Sequence, residues 1–286
     1  MKRCSTLLLA ASLAVPVVGG IGCRKPDPAP EELDDIVHFG FSRYAADEDD
    51  LNDRTLADVA ENLTLWWAAN VEDDLAGFEA TDDTRLTADD LATLSPVPEA
   101  ANGPEAIGVI VGRKTDCSLA DIDRVYLNDD QLSLYPDNYV SYDRTRTSDF
   151  SCFTDGECEE ATWTTDIVQE QQVLGTITYE FTLASGLRWV DAIPADGALG
   201  DPTVTARLSR TWMLAPAVLT PALADFRQSY QLEIITPYEG GLIHMYGMWT
   251  ELASDTLATE SAIFINSYIS GLRDTLDALE AHCQAE

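Results

Sequence analysis

The chain has 286 residues, of which 50 are Asp or Glu and only 17 are Lys or Arg, so its formal net charge at pH 7 is −33. Binding of nucleic acid depends on cations that neutralise phosphates, so this charge excludes nucleic acid as a partner and also argues against docking on anionic lipid. Hydrophobic residues make up 45% of the chain and there are six Trp, which is enough apolar surface for one large domain or two small ones.

The first 22 residues have the pattern of a secretory signal peptide. A short basic start precedes an apolar run from about Leu7 to Val18, and glycines then lead to Cys23. A membrane-spanning helix takes about 20 apolar residues, so this run is short for a permanent span and typical of a cleaved signal. We therefore predict that residues 1–22 are removed on export.

The junction of Gly22 and Cys23 resembles the lipobox of bacterial lipoproteins, in which a small residue precedes a cysteine that is diacylated and becomes the new N-terminus. Gly20 departs from the family pattern, which usually has Leu at that place. The resemblance implies a lipid on Cys23, membrane attachment through that lipid, and a location in the bacterial cell envelope, with the outer membrane expected. Plain secretion is the alternative without lipid. The Pro-rich residues 23–32 predict a stiff tether.

Residues 33–95 form a predicted N-terminal helical region, because apolar residues recur there at three- and four-residue steps. One helix is expected from Leu33, and a second from Asn52 or Asp53 to about Leu75. Both have a broad apolar face that must pack against another element.

The acidic segment from Glu79 to Asp90 has the twelve-residue length of an EF-hand loop. However, Thr84 occupies the place where the sharp turn needs Gly, and Asp90 the place where a bidentate Glu is expected. We interpret the segment as an exposed acidic loop that leads into a short helix capped by Thr87. No metal or other cofactor is predicted, because the chain also has only three His and no Cys-x-x-Cys pair for zinc.

After a Pro- and Gly-containing loop that ends near residue 104, the hydrophobic period changes from 3.6 to 2. Strands are predicted at 107–111, 139–146, 176–183, 203–214, 229–235 and 242–251. The last two flank a predicted hairpin turn at 237–241, and a long helix is expected from about Asp255 to Cys283. The predicted fold class is α+β: N-terminal helices, then a domain over residues 105–286 in which one face of an antiparallel sheet packs on a long C-terminal helix.

Four cysteines remain in the predicted mature chain besides Cys23. An even number in an oxidising compartment indicates two disulfides, for which three connectivities exist. Cys152 and Cys158 flank a turn-like segment and are expected to pair locally. Cys117 and Cys283 are then left to pair with each other.

The order of these elements resembles the START/SRPBCC superfamily, whose helix-grip fold wraps a curved antiparallel sheet around a long C-terminal helix. The resemblance covers roughly Ile107 to Cys283 and rests on topology, on Tyr142-Asp143-Arg144 and on the Leu-rich terminal helix. That superfamily holds an apolar ligand between sheet and helix, so the resemblance implies such a cavity here. The two N-terminal helices are extra to it.

Aromatic and methionine side chains with a few polar tips cluster in the predicted strands, as they do in many ligand sites. The candidate ligand contacts are Tyr179, Phe181, Trp212, His244, Tyr246 and Trp249. The same residues would also suit an ordinary core between sheet and helix. Arg144, Arg188 and Arg210 lie in strands among apolar neighbours and need a partner, either a ligand carboxylate or one of the many acidic side chains.

No catalytic residue is predicted, because the Gly-x-Ser-x-Gly, Ser-x-x-Lys and His-Glu-x-x-His patterns do not occur. The leading hypothesis is a lipid-anchored envelope protein that binds an apolar or amphipathic small molecule between sheet and helix. The alternative is a non-catalytic structural or protein-interaction lipoprotein with a filled core, and an enzyme ranks last. Protein partners are not assigned.

Overall fold

The structure is a computed structural model that describes residues 29–44, 50–72, 74–79, 84–136, 139–172, 176–192, 204–222, 224–253 and 262–284. The predicted signal peptide, Cys23 and most of the predicted tether lie outside the described residues. From residue 29 onward the chain is held in place, because the Asn62 amide donates hydrogen bonds to the carbonyl oxygens of Ala29 at 3.0 Å and Pro30 at 2.9 Å.

The described part of the chain contains the following helices and strands. The helices are α1 (Leu33–Arg43), α2 (Asp50–Asn70), α3 (Ala88–Leu91), α4 (Leu119–Tyr126), α5 (Gln131–Leu134), α6 (Phe150–Thr154) and α7 (Ala262–Gln284). The strands are β1 (Leu75–Glu79), β2 (Ile107–Thr115), β3 (Ser141–Arg146), β4 (Glu160–Gln172), β5 (Thr176–Ala192), β6 (Val204–Met213), β7 (Val218–Thr220), β8 (Asp225–Tyr238) and β9 (Gly241–Ala253).

The strands form one sheet in the order β1-β2-β9-β8-β6-β5-β4-β3, and β7 pairs with β5 beyond the end of β6. Every pair is antiparallel. The tight turn between β8 and β9 has Glu239 at φ 45° and Gly240 at φ 86°, the left-handed conformation that a two-residue hairpin turn needs. The predicted α+β fold, with its antiparallel sheet and long C-terminal helix, is confirmed.

Side chains alternate across each strand, so the two faces of the sheet carry different residues. In β8, Leu232 and Ile234 point towards α1 and α2, whereas Gln231 and Glu233 point to the opposite side. We call the first side the N-helix face. We call the second the C-helix face, because α7 packs on it over β2.

The N-helix face holds the largest apolar core. Ile36 and Phe41 of α1 and Leu63 and Trp67 of α2 are fully buried against it. The fit is close: a Cβ added at Gly247 would lie 2.3 Å from Val37. The sheet is therefore covered by helices on both faces, whereas the sequence led us to expect one covered face.

The C-helix face is covered by α7 together with α4, α5 and α6. Leu272, Leu276 and Leu279 are the buried residues of α7, and the first two contact Val109, Val111 and Tyr246. The disulfide Cys117–Cys283 joins the loop before α4 to the end of α7, and Cys152–Cys158 closes a local loop beside α6, which is the expected pairing.

Some element boundaries differ from the predictions. The second helix ends at Asn70, and Leu75 begins a strand that pairs with β2, because backbone pairing at this sheet edge replaces the helical pattern. Strand β4 and the short helices α4 to α6 were not predicted. The sequence of β4 is mostly polar and shows no clear alternation of apolar and polar residues, and the helices are too short to show a helical period. The Thr87 capping box of α3 is confirmed.

No helix within the described ranges combines the length and the apolar character that crossing a membrane requires.

Candidate functional site

Polar side chains occupy the centre of the C-helix face. Gln231 and Glu233 project from β8, and His244 and Tyr246 project from β9 beside them, because Glu233 pairs with Tyr246 in the antiparallel register. Their neighbours in each strand, such as Leu232 and Met245, turn to the opposite core. Buried polar groups in a sheet need partners, and the partners here define the site.

Glu233 is the centre of this polar group and is only 6% exposed. Its Oε2 accepts a hydrogen bond from the Tyr126 hydroxyl and lies 2.7 Å from Nε2 of His244. Nδ1 of His244 is buried and has no hydrogen-bond partner among the described residues. Oε1 of Glu233 has no donor among the described residues.

Tyr126 reaches Glu233 because α4 ends at that point. Ser118 and Asp121 form a capping box that starts the helix, and the Arg144 guanidinium donates a 2.6 Å hydrogen bond to the Tyr126 carbonyl at its end. A helix terminus leaves such carbonyls without a partner, so this contact fixes the direction of the last residue.

Tyr135, Tyr139 and Tyr246 surround the same carboxylate together with Tyr126. Burial raises the pKa of all four hydroxyls, those of Tyr126 and Tyr246 well above the usual value, and the negative charge of Glu233 adds to the rise in each case. The four phenols therefore stay protonated at physiological pH.

The hydroxyls of Tyr135 and Tyr139 make no hydrogen bond with another described residue. Their rings meet edge to face with centroids 6.5 Å apart, and the Tyr139 ring lies 5.1 Å from that of Tyr142. By contrast, Tyr246 donates to Gln231 at 2.7 Å. Among the described residues, two phenol hydroxyls and one carboxylate oxygen at the polar centre thus have no hydrogen-bond partner.

An apolar, aromatic end adjoins this polar centre. Tyr179 and Phe181 of β5 contact Phe226 of β8, with ring centroids 6.5 Å and 6.2 Å apart, and all three are half-buried. Tyr268 of α7 packs against the cluster that contains Tyr246, and burial and then the nearby Tyr179 raise its pKa. Between the two ends, Met248 on β9 continues the same face.

The arginines of the C-helix face are already engaged. Arg207 forms two 2.7 Å hydrogen bonds with Asp123, and Arg113 contacts Asp277 and Glu280 of α7. Arg144 binds the Tyr126 carbonyl and the Tyr142 hydroxyl, and its guanidinium lies 4.6 Å from the ring centroid of Trp163.

Arg188 and Arg210 lie on the N-helix face instead. Arg188 pairs with Glu159 at 3.2 Å, so its partner is an acidic side chain of the protein, one of the two alternatives that we predicted. Arg210 donates to the Phe41 carbonyl and to Thr93, and its guanidinium lies 4.5 Å from the Tyr44 ring centroid. Burial lowers the pKa of Arg210 to about 10, so the side chain still carries its charge at neutral pH.

The structure brings together four of the six predicted ligand contacts: Tyr179, Phe181, His244 and Tyr246 lie on the C-helix face. Trp249 lies on the opposite face, where its ring is 5.4 Å from that of Phe41. Trp212 also lies there, and its indole donates to the Pro96 carbonyl at 3.0 Å. The alternation of side chains separates these tryptophans from the other four residues. A ligand role for the four stays a prediction.

Glu233, Tyr126, Tyr135 and Tyr139 were not selected from the sequence. Glu233 carried a usable signal, because an acid between Leu232 and Ile234 of an apolar strand must be buried or must face a polar site. The tyrosines gave none, since they lie on or beside short helices.

A surface cleft of about 270 Å³ lies between β2 and α7, at the edge of the C-helix face. Its lining includes Asp74, Arg273 and Asp274 and contains neither Glu233 nor the tyrosines around it. We place the candidate site at the polar centre and aromatic end, where partly exposed aromatic side chains meet polar atoms without partners.

No known protein-family model matches the chain, and no curated protein sequence matches it either. Among solved structures, it is similar to a STAR-related lipid transfer protein from Xanthomonas axonopodis, with 13% identity and a TM-score of 0.40 over 62% of this chain and 86% of that one. It is also similar to Ara h 8.0201, with 9% identity and a TM-score of 0.37 over 63% of this chain and 99% of that one. Human STARD10 gives 6% identity and a TM-score of 0.36 over 62% and 63% of the two chains. At these values the likeness supports no conclusion about ligand or activity.

Proposed function

We propose that this protein binds an amphipathic small molecule between the C-helix face of its sheet and α7. The observation that carries the proposal is the composition of this one face. Its aromatic end, with Tyr179, Phe181 and Phe226, is only half-buried, and oxygens of Glu233 and two tyrosines at its polar centre have no partner among the described residues. A site with an apolar wall and a few convergent polar groups suits a molecule with a tail and a head group.

The burial pattern supports the same conclusion. A filled core would leave aromatic side chains closed off, as Phe41 and Trp249 are on the other face, both at 1% exposure or less. An apolar tail placed on the aromatic end would remove its exposed surface from water, which is favourable by about 25 cal/mol per Å².

Binding can be measured with the neutral fluorescent probe N-phenyl-1-naphthylamine and the purified full-length protein. We expect saturable fluorescence enhancement and its reversal by dodecan-1-ol. Phe181→Asp should weaken probe binding at least tenfold, because it places a charge on the apolar wall. Val218→Asp is the matched control, since Val218 is 61% exposed on β7, and it should leave binding unchanged. A folded wild-type protein that shows no saturable binding would refute the proposal.

We also propose that the protein is anchored in the bacterial cell envelope by lipid on Cys23. The glycine-rich junction before Cys23, the Pro-rich segment after it and the strongly acidic composition support this assignment. Cells that express the protein should incorporate labelled palmitate into it, and Cys23→Ala should abolish the label. Cys4→Ala is the control and should retain it. Equal labelling of wild type and Cys23→Ala would exclude the anchor.

A further inference from the structure

We infer that the polar centre of the site selects a ligand whose head group is a protonated amine; this rests on the proposed function. Its basis is the position of one acidic side chain. Glu233 is buried at the centre of the C-helix face, and its Oε1 has no donor among the described residues. A buried carboxylate with an open oxygen favours a cationic hydrogen-bond donor.

The surrounding rings favour the same kind of head group. Tyr126, Tyr135, Tyr139 and Tyr246 come from four separate segments, and each is close enough for the charge of Glu233 to oppose its ionisation. The faces of aromatic rings attract cations, and a neutral phenol oxygen accepts hydrogen bonds. The unbonded hydroxyls of Tyr135 and Tyr139 can therefore accept from an ammonium group that also donates to Glu233.

The basic side chains of this face do not occupy that place. His244 lies 2.7 Å from Oε2 of Glu233 and leaves Oε1 open. Arg207 is held by Asp123, Arg113 by Asp277 and Glu280, and Arg144 by a carbonyl, a hydroxyl and an indole ring. A carboxylate head group would meet the charge of Glu233 without an available arginine, and an alcohol would gain no charge–charge attraction. The expected order of affinity is amine, then alcohol, then carboxylate.

Three compounds with the same twelve-carbon tail test this order: dodecylamine, dodecan-1-ol and dodecanoate, each displacing N-phenyl-1-naphthylamine from the full-length protein at pH 8, where an alkylamine is charged. The buffer contains about 0.15 M salt to screen the general negative charge of the protein. We expect dodecylamine to bind at least tenfold more tightly than dodecan-1-ol, and dodecanoate to bind most weakly.

Glu233→Gln should bring dodecylamine to within about threefold of dodecan-1-ol without changing the affinity for the alcohol. Glu180→Gln, which removes an exposed acid on β5, is the matched control and should keep the preference. Tyr139→Leu provides a second variant if Glu233→Gln does not fold, and it should weaken dodecylamine several-fold more than dodecan-1-ol.

The outcomes separate the two proposals. Equal affinity for dodecylamine and dodecan-1-ol in the wild type, or an amine preference that survives in Glu233→Gln, would overturn the inference while the proposed function stands. If none of the three compounds displaces the probe, the proposed function itself fails.

Discussion

The two faces of the sheet are both covered by helices but differ in how completely their aromatic side chains are buried. On the N-helix face, Gly40, Gly112 and Gly247 let helix and sheet approach so closely that an added Cβ would come within 3 Å of a neighbour at each position. Where α7 meets β1 on the C-helix side the approach is as close, because an added Cβ at Gly77 would lie 2.9 Å from Ile269. The difference lies further along that face, where Tyr179, Phe181 and Phe226 are only half-buried. We expect the first face to contribute more to the stability of the fold and the second to accept the proposed ligand.

Polar side chains occur on both faces of the sheet. On the N-helix face, Arg210 donates to a carbonyl and a hydroxyl and is surrounded by aromatic rings. On the C-helix face, Glu233, Tyr135 and Tyr139 keep oxygens without a described partner. Buried atoms without a described partner also occur on the N-helix face, at Nε of Arg210 and Nε1 of Trp249. The C-helix face is distinguished by the grouping of its oxygens around Glu233, where the proposed ligand would supply partners.

The largest predicted effect contrasts one aromatic residue from each face. Trp249→Ala should lower the free energy of unfolding by about 3–5 kcal/mol, because it leaves a cavity in a close-packed core. Phe181→Ala should lower it by only about 1 kcal/mol, because Phe181 is half-buried, and should weaken probe binding instead. Urea denaturation monitored by circular dichroism measures both. Equal destabilisation by the two substitutions would show that the faces are packed alike.

The next prediction concerns the disulfide that holds the cover of the C-helix face. Cys117–Cys283 spans 166 residues of sequence, whereas Cys152–Cys158 spans 6. Longer closed loops constrain the unfolded chain more, so replacing both cysteines of the first pair by serine should cost about 2–4 kcal/mol.

Serine replacements at Cys152 and Cys158 are the matched control. They should cost the smaller part of that range and leave probe binding intact, because this bridge does not touch α7. Loss of probe binding is expected only in the first variant, where the end of α7 is released from the loop before α4. Denaturation and probe titration of the two variants side by side test this, and an unchanged affinity in the first would mean that α7 stays in place without the bridge.

Local sequence patterns predicted much of this fold. The apolar repeat of α1, the alternation from Ile177 to Leu183 and the turn before Gly241 each depend on residues close together in the chain, and each is present. The alternation within β9 could even have separated Trp249 from His244 and Tyr246, because residues an odd number of positions apart in a strand point to opposite faces. Trp249 is three positions from Tyr246 and five from His244.

The polar centre could not be predicted in the same way. Tyr126 and Glu233 are 107 residues apart, and their contact depends on where a short helix ends above a strand. Which face the N-terminal helices cover is likewise decided by long-range packing, such as that of Val37 on Gly247. A single sequence contains no local signal for either contact, because both depend on packing between segments that are far apart in the chain.

The smallest predicted effect concerns a polar contact between the helices α1 and α3. Asp90 in α3 lies 2.9 Å from Nε2 of His38 in α1. Burial opposes ionisation of this carboxyl, but hydrogen bonds from His38 and Thr87 outweigh it, and the pKa of Asp90 is lowered. A carboxyl whose pKa is lower in the folded than in the unfolded protein stabilises the fold at pH values above the unfolded pKa of about 4. This contribution is lost as the pH falls through the folded pKa.

Asp90→Asn should therefore lower the free energy of unfolding by about 1–2 kcal/mol at pH 7, and the difference from wild type should narrow below pH about 4. Asp89→Asn, at the exposed neighbouring position, should show neither effect. A difference for Asp90→Asn that is constant from pH 7 to pH 3 in thermal unfolding would mean that the shape of the cap, and not its charge, holds α3 to α1.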